Sequence, residues 1–153
     1  KASILLSDPY MGNQQVLVIR TADADKYTSQ EDLAQADTIA FEGGSAADTI
    51  LSEMDSLTDD QLLSMEKQAD TFLEVKSGAS DVAVVDIALA KEMTGKGDYT
   101  DLTYVDIGFA SEDFAVGFRK EDTQLCEQIN EILAKYKEDG TIEALAEKYG
   151  VSV

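Results

Sequence analysis

The chain has 153 residues, 44% of them apolar, so a folded domain with a sizeable core is expected rather than a disordered acidic segment. Asp and Glu number 31 against 12 Lys and Arg, a formal net charge of −19, which argues strongly against nucleic acid and also against anionic lipid as partners, because both attract Lys and Arg. There is no His and a single Cys, Cys126, so Ser-His-Asp and Cys-His catalysis, an intrachain disulfide and a Cys-based zinc site are excluded as well.

The first twenty residues hold two apolar runs, Ile4-Leu5-Leu6 and Val16-Leu17-Val18-Ile19, with the turn Ser7-Asp8-Pro9-Tyr10 between them. Residues 21–38 are polar, and a helix opens near Ser29, where Asp32 three residues on completes a capping pattern. From residue 39 the chain alternates. Strand 39–42 leads to helix 45–54, strand 62–66 to helix 69–77, and strand 81–85 to helix 87–94, with Gly78 and Gly95 closing the last two helices. Strands are also expected near 102–105 and over 114–118. Two helices end the chain. The first, 122–137, has Leu125, Ile129, Ile132, Leu133 and Tyr136 on one face. Asp139-Gly140 breaks it, and the second runs over 142–149. Cys126 lies on an apolar helical face and reads as a small core residue. This pattern predicts an α/β fold, a mainly parallel sheet with helices on both faces. No apolar run approaches the ~20 residues of a membrane span. The chain starts at Lys1, so the lack of a leader carries no weight against export.

Two places carry chemistry. Asp81-Val82-Ala83-Val84-Val85-Asp86 is an apolar run that stops on a carboxylate. A Val-rich run of this kind fits a strand buried on both faces, and ligands of open α/β sheets bind at the strands' C-terminal ends. Asp86 therefore suits a cation there; it equally suits an N-cap for the helix that follows. Ile39 to Ala47 has the same strand, turn and helix form. Its turn, Gly43-Gly44-Ser45, offers backbone amides to an anion, or is a plain turn with a Ser cap. Glu42 before it reads as a ligand contact or as an exposed carboxylate. Together, an anion site and a cation site at corresponding strand ends suggest a zwitterion, hence an amino acid.

The order of these motifs resembles the amino-acid-binding branch of the bacterial extracellular solute-binding proteins, the type II periplasmic binding proteins. Ser7-Asp8-Pro9-Tyr10 is similar to the family's Ser-x-Pro-Tyr, and Val16 to Ile19 to the crossing strand after it. Glu42 to Ala47 resembles the Gly-Ser/Thr carboxylate loop, and Ser77 to Asp86 the "Gly-x-x-Asp-Ala-x-x-x-Asp" segment. Phe114 to Lys120 is similar to the return strand. Leu125, Ile129, Asn130, Asp139-Gly140-Thr141 and Lys148-Tyr149-Gly150 resemble the closing helices.

The resemblance implies three segments: 1–19 as a first-lobe remnant with the crossing strand, 20–109 as the ligand-binding second lobe, and 110–153 as the return strand and closing helices of the first lobe. It implies that family members carry further residues before Ser-x-Pro-Tyr, including an arginine and an aromatic pair that this chain lacks. By the same resemblance the amides of Ser45 and Ala46, with Gly44 before them and the Ser45 hydroxyl, hold the ligand α-carboxylate. Asp86 accepts from the α-ammonium, and Glu42 touches the ligand side chain. The implied function is capture of a polar amino acid outside the cytoplasmic membrane for an ABC permease, in a protein that is extracellular or periplasmic, as a lipoprotein where it is anchored. No catalysis, cofactor or metal is implied. The rivals are the sensor domain of a receptor or kinase and a dehydratase of the same fold. The uncovered helical stripe implies a homodimer or a companion chain in place of the missing first lobe.

Overall fold

The structure, a computed structural model, describes residues 4–153; residues 1–3 of the predicted segment 1–19 lie outside the described residues. In chain order the elements are β1 (Leu5–Leu6), β2 (Met11–Arg20), β3 (Ile39–Glu42), α1 (Ala46–Ser52), β4 (Leu62–Met65), α2 (Gln68–Ser77), β5 (Val82–Asp86), α3 (Ile87–Met93), β6 (Leu102–Val105), β7 (Ser111–Phe114), β8 (Gly117–Phe118), α4 (Thr123–Glu138) and α5 (Thr141–Tyr149). Short 3-10 helices cover Thr21–Lys26 and Gln30–Gln35. The predicted capping pattern is present at the second of these. Asp32 Oδ2 accepts the Ser29 N–H at 2.9 Å and the Thr28 N–H at 2.8 Å. The chain divides into two compact units, Gln14–Ala110 and the remaining residues.

Gln14–Ala110 is built on a sheet in the order β4-β3-β5-β2-β6. Strands β4, β3 and β5 pair in parallel, as the strand–helix alternation requires. Strand β2 inserts between β5 and β6 and runs antiparallel to both. Successive side chains of a strand point to opposite faces, and both faces are apolar here. Leu17, Ile19, Ile39, Phe41, Val82 and Val84 pack on one face with Leu33, Ala47 and Leu51. Val16, Val18, Ala40, Ala83 and Val85 pack on the other with Phe72, Val75 and Ala90. Helix α1 thus covers one face, and α2 and α3 the other. Fully burying each of the Val, Leu, Ile and Phe side chains among these stabilises the fold by roughly 1.5–3 kcal/mol.

The two ends of this sheet differ. At one end Arg20 donates through Nη1 to the carbonyls of Val75 and Ser80, at 3.0 and 3.1 Å, and through Nε to Asp23 at 2.7 Å. Its Nη2 lies 3.7 Å from Asp81. Lys26 and Arg20 hold the Asp23 carboxyl below its ordinary range. Burial, then the Asp81 charge, pushes the Tyr27 phenol up. The opposite end gathers the C-termini of β3, β4 and β5.

In the other unit, β1 pairs with β8, and β7, α4 and α5 complete it. The expected strand over 114–118 is two strands. The Ser7 hydroxyl accepts the Val116 N–H at 2.9 Å, and the Ser7 N–H donates to the Val116 carbonyl at 2.9 Å. A side-chain oxygen takes the place of a ladder partner there, so pairing lapses between β7 and β8. The turn before β2 is tied to α4: the Asp8 N–H donates to Asn130 Oδ1 at 2.8 Å, and Lys137 Nζ to the Pro9 carbonyl at 2.9 Å. Gly140, at φ +78°, ends α4 in a left-handed turn that a side chain would strain. Cys126 is buried, its thiol on the Leu6 carbonyl at 3.4 Å. The α4 stripe is half open: Leu125, Ile132 and Tyr136 are 49%, 45% and 42% exposed.

Candidate functional site

Three strand ends on the sheet of Gln14–Ala110 position the site. Asp86 closes β5 and stands at the N-cap position of α3, but its carboxylate makes no cap bond. It is held from two sides instead. Gln15 lies directly across from it on β2 and donates Nε2–H to Asp86 Oδ1 at 2.7 Å. Gln68, the first residue of α2, donates Nε2–H to Asp86 Oδ2 at 2.7 Å. The Gln68 amide oxygen also accepts the Asp86 backbone N–H at 3.0 Å. Each carboxylate oxygen therefore has one amide donor. Amide donors carry no net charge, so they orient the carboxylate without neutralising it. Asp86 is half-buried, which leaves it within reach of a ligand.

The predicted anion loop follows β3. Gly44 adopts φ +75°, which favours glycine, and turns the chain into α1. The Ser45 hydroxyl caps α1 by accepting the Asp48 N–H at 3.3 Å, and it donates to the Glu42 carbonyl at 2.7 Å. The Ser45 N–H donates to the same carbonyl at 3.3 Å. Asp48 Oδ2 accepts the Gly44 N–H at 2.7 Å. Ala46, half-buried, is the first residue of α1, where backbone N–H groups lack an acceptor within the helix. The Ser45 hydroxyl thus acts as a cap, and one amide of the turn is already met by a carboxylate of α1.

Glu42 ends β3, half-buried, and its Oε2 accepts the Gln68 N–H at 3.0 Å. No side chain at Lys67 caps α2, so Glu42 supplies that cap from the neighbouring strand, where a negative charge suits a helix N-terminus. The predicted residues Glu42 and Asp86 are thereby linked through Gln68, which donates its backbone N–H to Glu42 and its side-chain amide to Asp86. Ser45 and Gly44 are joined to Glu42 and Asp48 instead.

The sequence reading missed Gln15, Gln68 and Asp48. Two signals were available. Gln15 is the polar residue that opens an otherwise apolar strand, Val16 to Ile19. Gln68 stands at a strand-to-helix turn, as Ser45 and Asp86 do. Among the described residues no group of His, Cys, Asp and Glu is arranged to hold a metal ion. Nor is any helix among them long and apolar enough to cross a membrane.

Two curated relatives match over 97% of this chain. One is a probable histidine-binding protein of Neisseria gonorrhoeae, 23% identical and covered over 55% of its length. The other is the ABC transporter glutamine-binding protein GlnH of Bacillus subtilis (strain 168), 26% identical and covered over 52%. The chain therefore spans about half the length of the curated relatives it matches. Among solved structures, an amino acid ABC transporter substrate-binding protein of Streptococcus pneumoniae, bound to L-arginine, superposes with a TM-score of 0.84. Its identity is 27%, over 96% of this chain and 61% of that one. The ancestral amino acid-binding protein AncCDT-1, a precursor of cyclohexadienyl dehydratase, gives 0.82 at 31% identity, over 96% of this chain and 62% of that one. The holo form of ArgBP from T. maritima gives 0.78 at 32%, over 95% and 62%. The family model of the bacterial extracellular solute-binding proteins, family 3, matches residues 1–152, and the chain belongs to that family.

Proposed function

We propose that this chain is the amino-acid-binding part of an extracellular solute-binding protein that serves an ABC importer, and that it binds rather than catalyses. The observation that carries the reading is the half-buried Asp86 carboxylate at a strand C-terminus, held by two neutral amides. Amide donors orient a carboxylate toward a ligand ammonium without themselves adding positive charge, and charge-assisted bonds to an ammonium are about twice as strong as neutral ones. The relatives support the ligand class: one is bound to L-arginine, and others are described as histidine- and glutamine-binding. The neighbour described as a dehydratase precursor is itself described as amino acid-binding.

In this reading the Ala46 amide, joined by the Ser45 and Gly44 amides in exchange for their bonds to the Glu42 carbonyl and Asp48, meets the α-carboxylate, and Asp86 meets the α-ammonium. Residues 20–109 form the second lobe, flanked by first-lobe segments 1–19 and 110–153. The permease, a lipid anchor and the extracellular setting belong to the whole protein. The exposed α4 stripe is covered there by residues that longer relatives carry beyond this chain's span. Glu42 keeps one oxygen on α2 and biases the site toward a ligand with a cationic or amide side chain, against glutamate.

The test is titration of the 153-residue chain with L-arginine, L-glutamine, L-histidine and L-glutamate, followed by NMR shifts at the residue 44–46 and 86 amides. A charge pair facing open water gains only ~1 kcal/mol at 4 Å, so weak, millimolar-class binding is expected. Glutamate is expected to bind weakest. Sub-micromolar affinity would overturn the half-site reading, and shifts confined to other residues would overturn the site.

A further inference from the structure

We propose that Gln68 is a positioning residue for ligand binding: it grips Asp86 at two points and thereby sets how tightly an α-ammonium is held. The inference rests on the amino-acid reading above and adds a determinant to it.

The geometry is specific. Gln68 Nε2–H meets Asp86 Oδ2 at 2.7 Å while Gln68 Oε1 accepts the Asp86 N–H at 3.0 Å. One side-chain amide therefore reads both the backbone and the carboxylate of a single residue, which fixes the Asp86 side-chain torsions as well as its position. The grip is itself anchored, because the Gln68 N–H is held by Glu42 Oε2 at 3.0 Å. Gln15, buried to 1% exposure, fixes the other oxygen at 2.7 Å. The result is a chain of contacts across four elements, from Glu42 on β3, through Gln68 on α2 and Asp86 on β5, to Gln15 on β2. An acidic group free to rotate would lose entropy on meeting an ammonium; one already locked does not, and that preorganisation appears as affinity. Glutamine is suited to this where arginine is not. It supplies a donor and an acceptor on one planar group and adds no positive charge to compete with the ligand.

The experiment compares wild type, Gln68→Met, Asp86→Asn and the double variant in the 153-residue chain. The probes are L-arginine and 5-guanidinopentanoate, which is L-arginine without its α-amino group. Gln68→Met is expected to weaken L-arginine about tenfold, as loss of a bond to a charged group does, and to change 5-guanidinopentanoate by no more than about twofold. In the Asp86→Asn background the effect of Gln68→Met on L-arginine is expected to vanish. Amide exchange at Asp86 should quicken in Gln68→Met while the Phe72 and Val84 amides stay protected, showing an intact core.

Equal weakening of both probes would make Gln68 a merely structural residue and overturn the proposal. So would weakening by Asp86→Asn with none by Gln68→Met, and in that case the amino-acid reading would stand. If Asp86→Asn leaves L-arginine binding unchanged, or none of L-arginine, L-glutamine and L-histidine binds the wild type, the reading and this inference fall together.

Discussion

Gly44 and Asp48 close a ring at the entrance to α1: the Gly44 N–H donates to Asp48 Oδ2 at 2.7 Å while the Asp48 N–H donates to the Ser45 hydroxyl at 3.3 Å. A carboxylate from within the helix thus occupies one of the amides that the proposed site offers to a ligand carboxylate. Asp48 stabilises the helix start and opposes an incoming anion by the same charge. Asp48→Asn should therefore tighten L-arginine by roughly two- to fivefold while lowering stability by about 0.5–1 kcal/mol. Titration and thermal melting of the same sample check both signs. Weaker binding with unchanged melting would show that Asp48 assists the ligand.

Asp86→Asn separates binding from folding. The side chain makes no cap bond to α3, so the helix start loses little. The new amide puts an NH₂ group opposite one of the Gln15 and Gln68 donors, which breaks one of those bonds at a cost of about 1 kcal/mol. Loss of the charged contact to an ammonium should cost about 1.5–3 kcal/mol of binding. A sharp fall in melting temperature with affinity retained would make Asp86 a structural residue.

Arg20 should matter to folding alone. Its Nη1 satisfies the carbonyls of Val75 and Ser80 between α2 and β5, and Ser80 is buried. Arg20→Met leaves both carbonyls without that donor and should destabilise the chain by about 2 kcal/mol. For a domain of this size that lowers the melting temperature by roughly 4–8 °C. L-Arginine titration at a temperature where the variant is folded should match wild type, because Arg20 lies at the sheet end opposite Asp86. A changed affinity would show that the two ends of the sheet communicate.

Stability should peak on the mildly acidic side and fall below about pH 4. Lys26 and Arg20 lower Asp23; the Thr28 N–H, then its hydroxyl and the Ser29 N–H, lower Asp32; the Thr141 hydroxyl and N–H lower Asp139. A depressed carboxyl contributes stability above its unfolded value, 3.8 for Asp, and loses it as pH falls through the folded value. Against this, the −19 formal charge at pH 7 repels itself, and protonation toward pH 5 relieves some of that. Added salt should stabilise the chain at pH 7 for the same reason, by screening the repulsion. Melting scans from pH 3 to pH 8 at two salt concentrations measure both terms. A flat profile with no salt response would show that neither term matters.

The sequence by itself determined the elements and their faces. The unbroken apolar runs Val16 to Ile19 and Val82 to Val85, buried on both faces, the caps at Ser29 and Ser45 and the stop at Gly140 are local, set by side-chain character and by hydrogen bonds within a few residues. Motif order was enough to identify the family, because it is a property of the chain alone. Asp86 was legible as a strand-end carboxylate for the same reason. Only the tertiary structure decided who stands beside whom. A hydrophobic period says that a face is buried but not against which strand, so the insertion of antiparallel β2 between β5 and β6 was not legible. With that insertion come Gln15, 71 positions from Asp86, and the grip of Gln68, 18 positions away. The lapse between β7 and β8 depends on Ser7, 109 positions from Val116. Such contacts form when the sheet order closes the intervening loops, and no local pattern encodes that order.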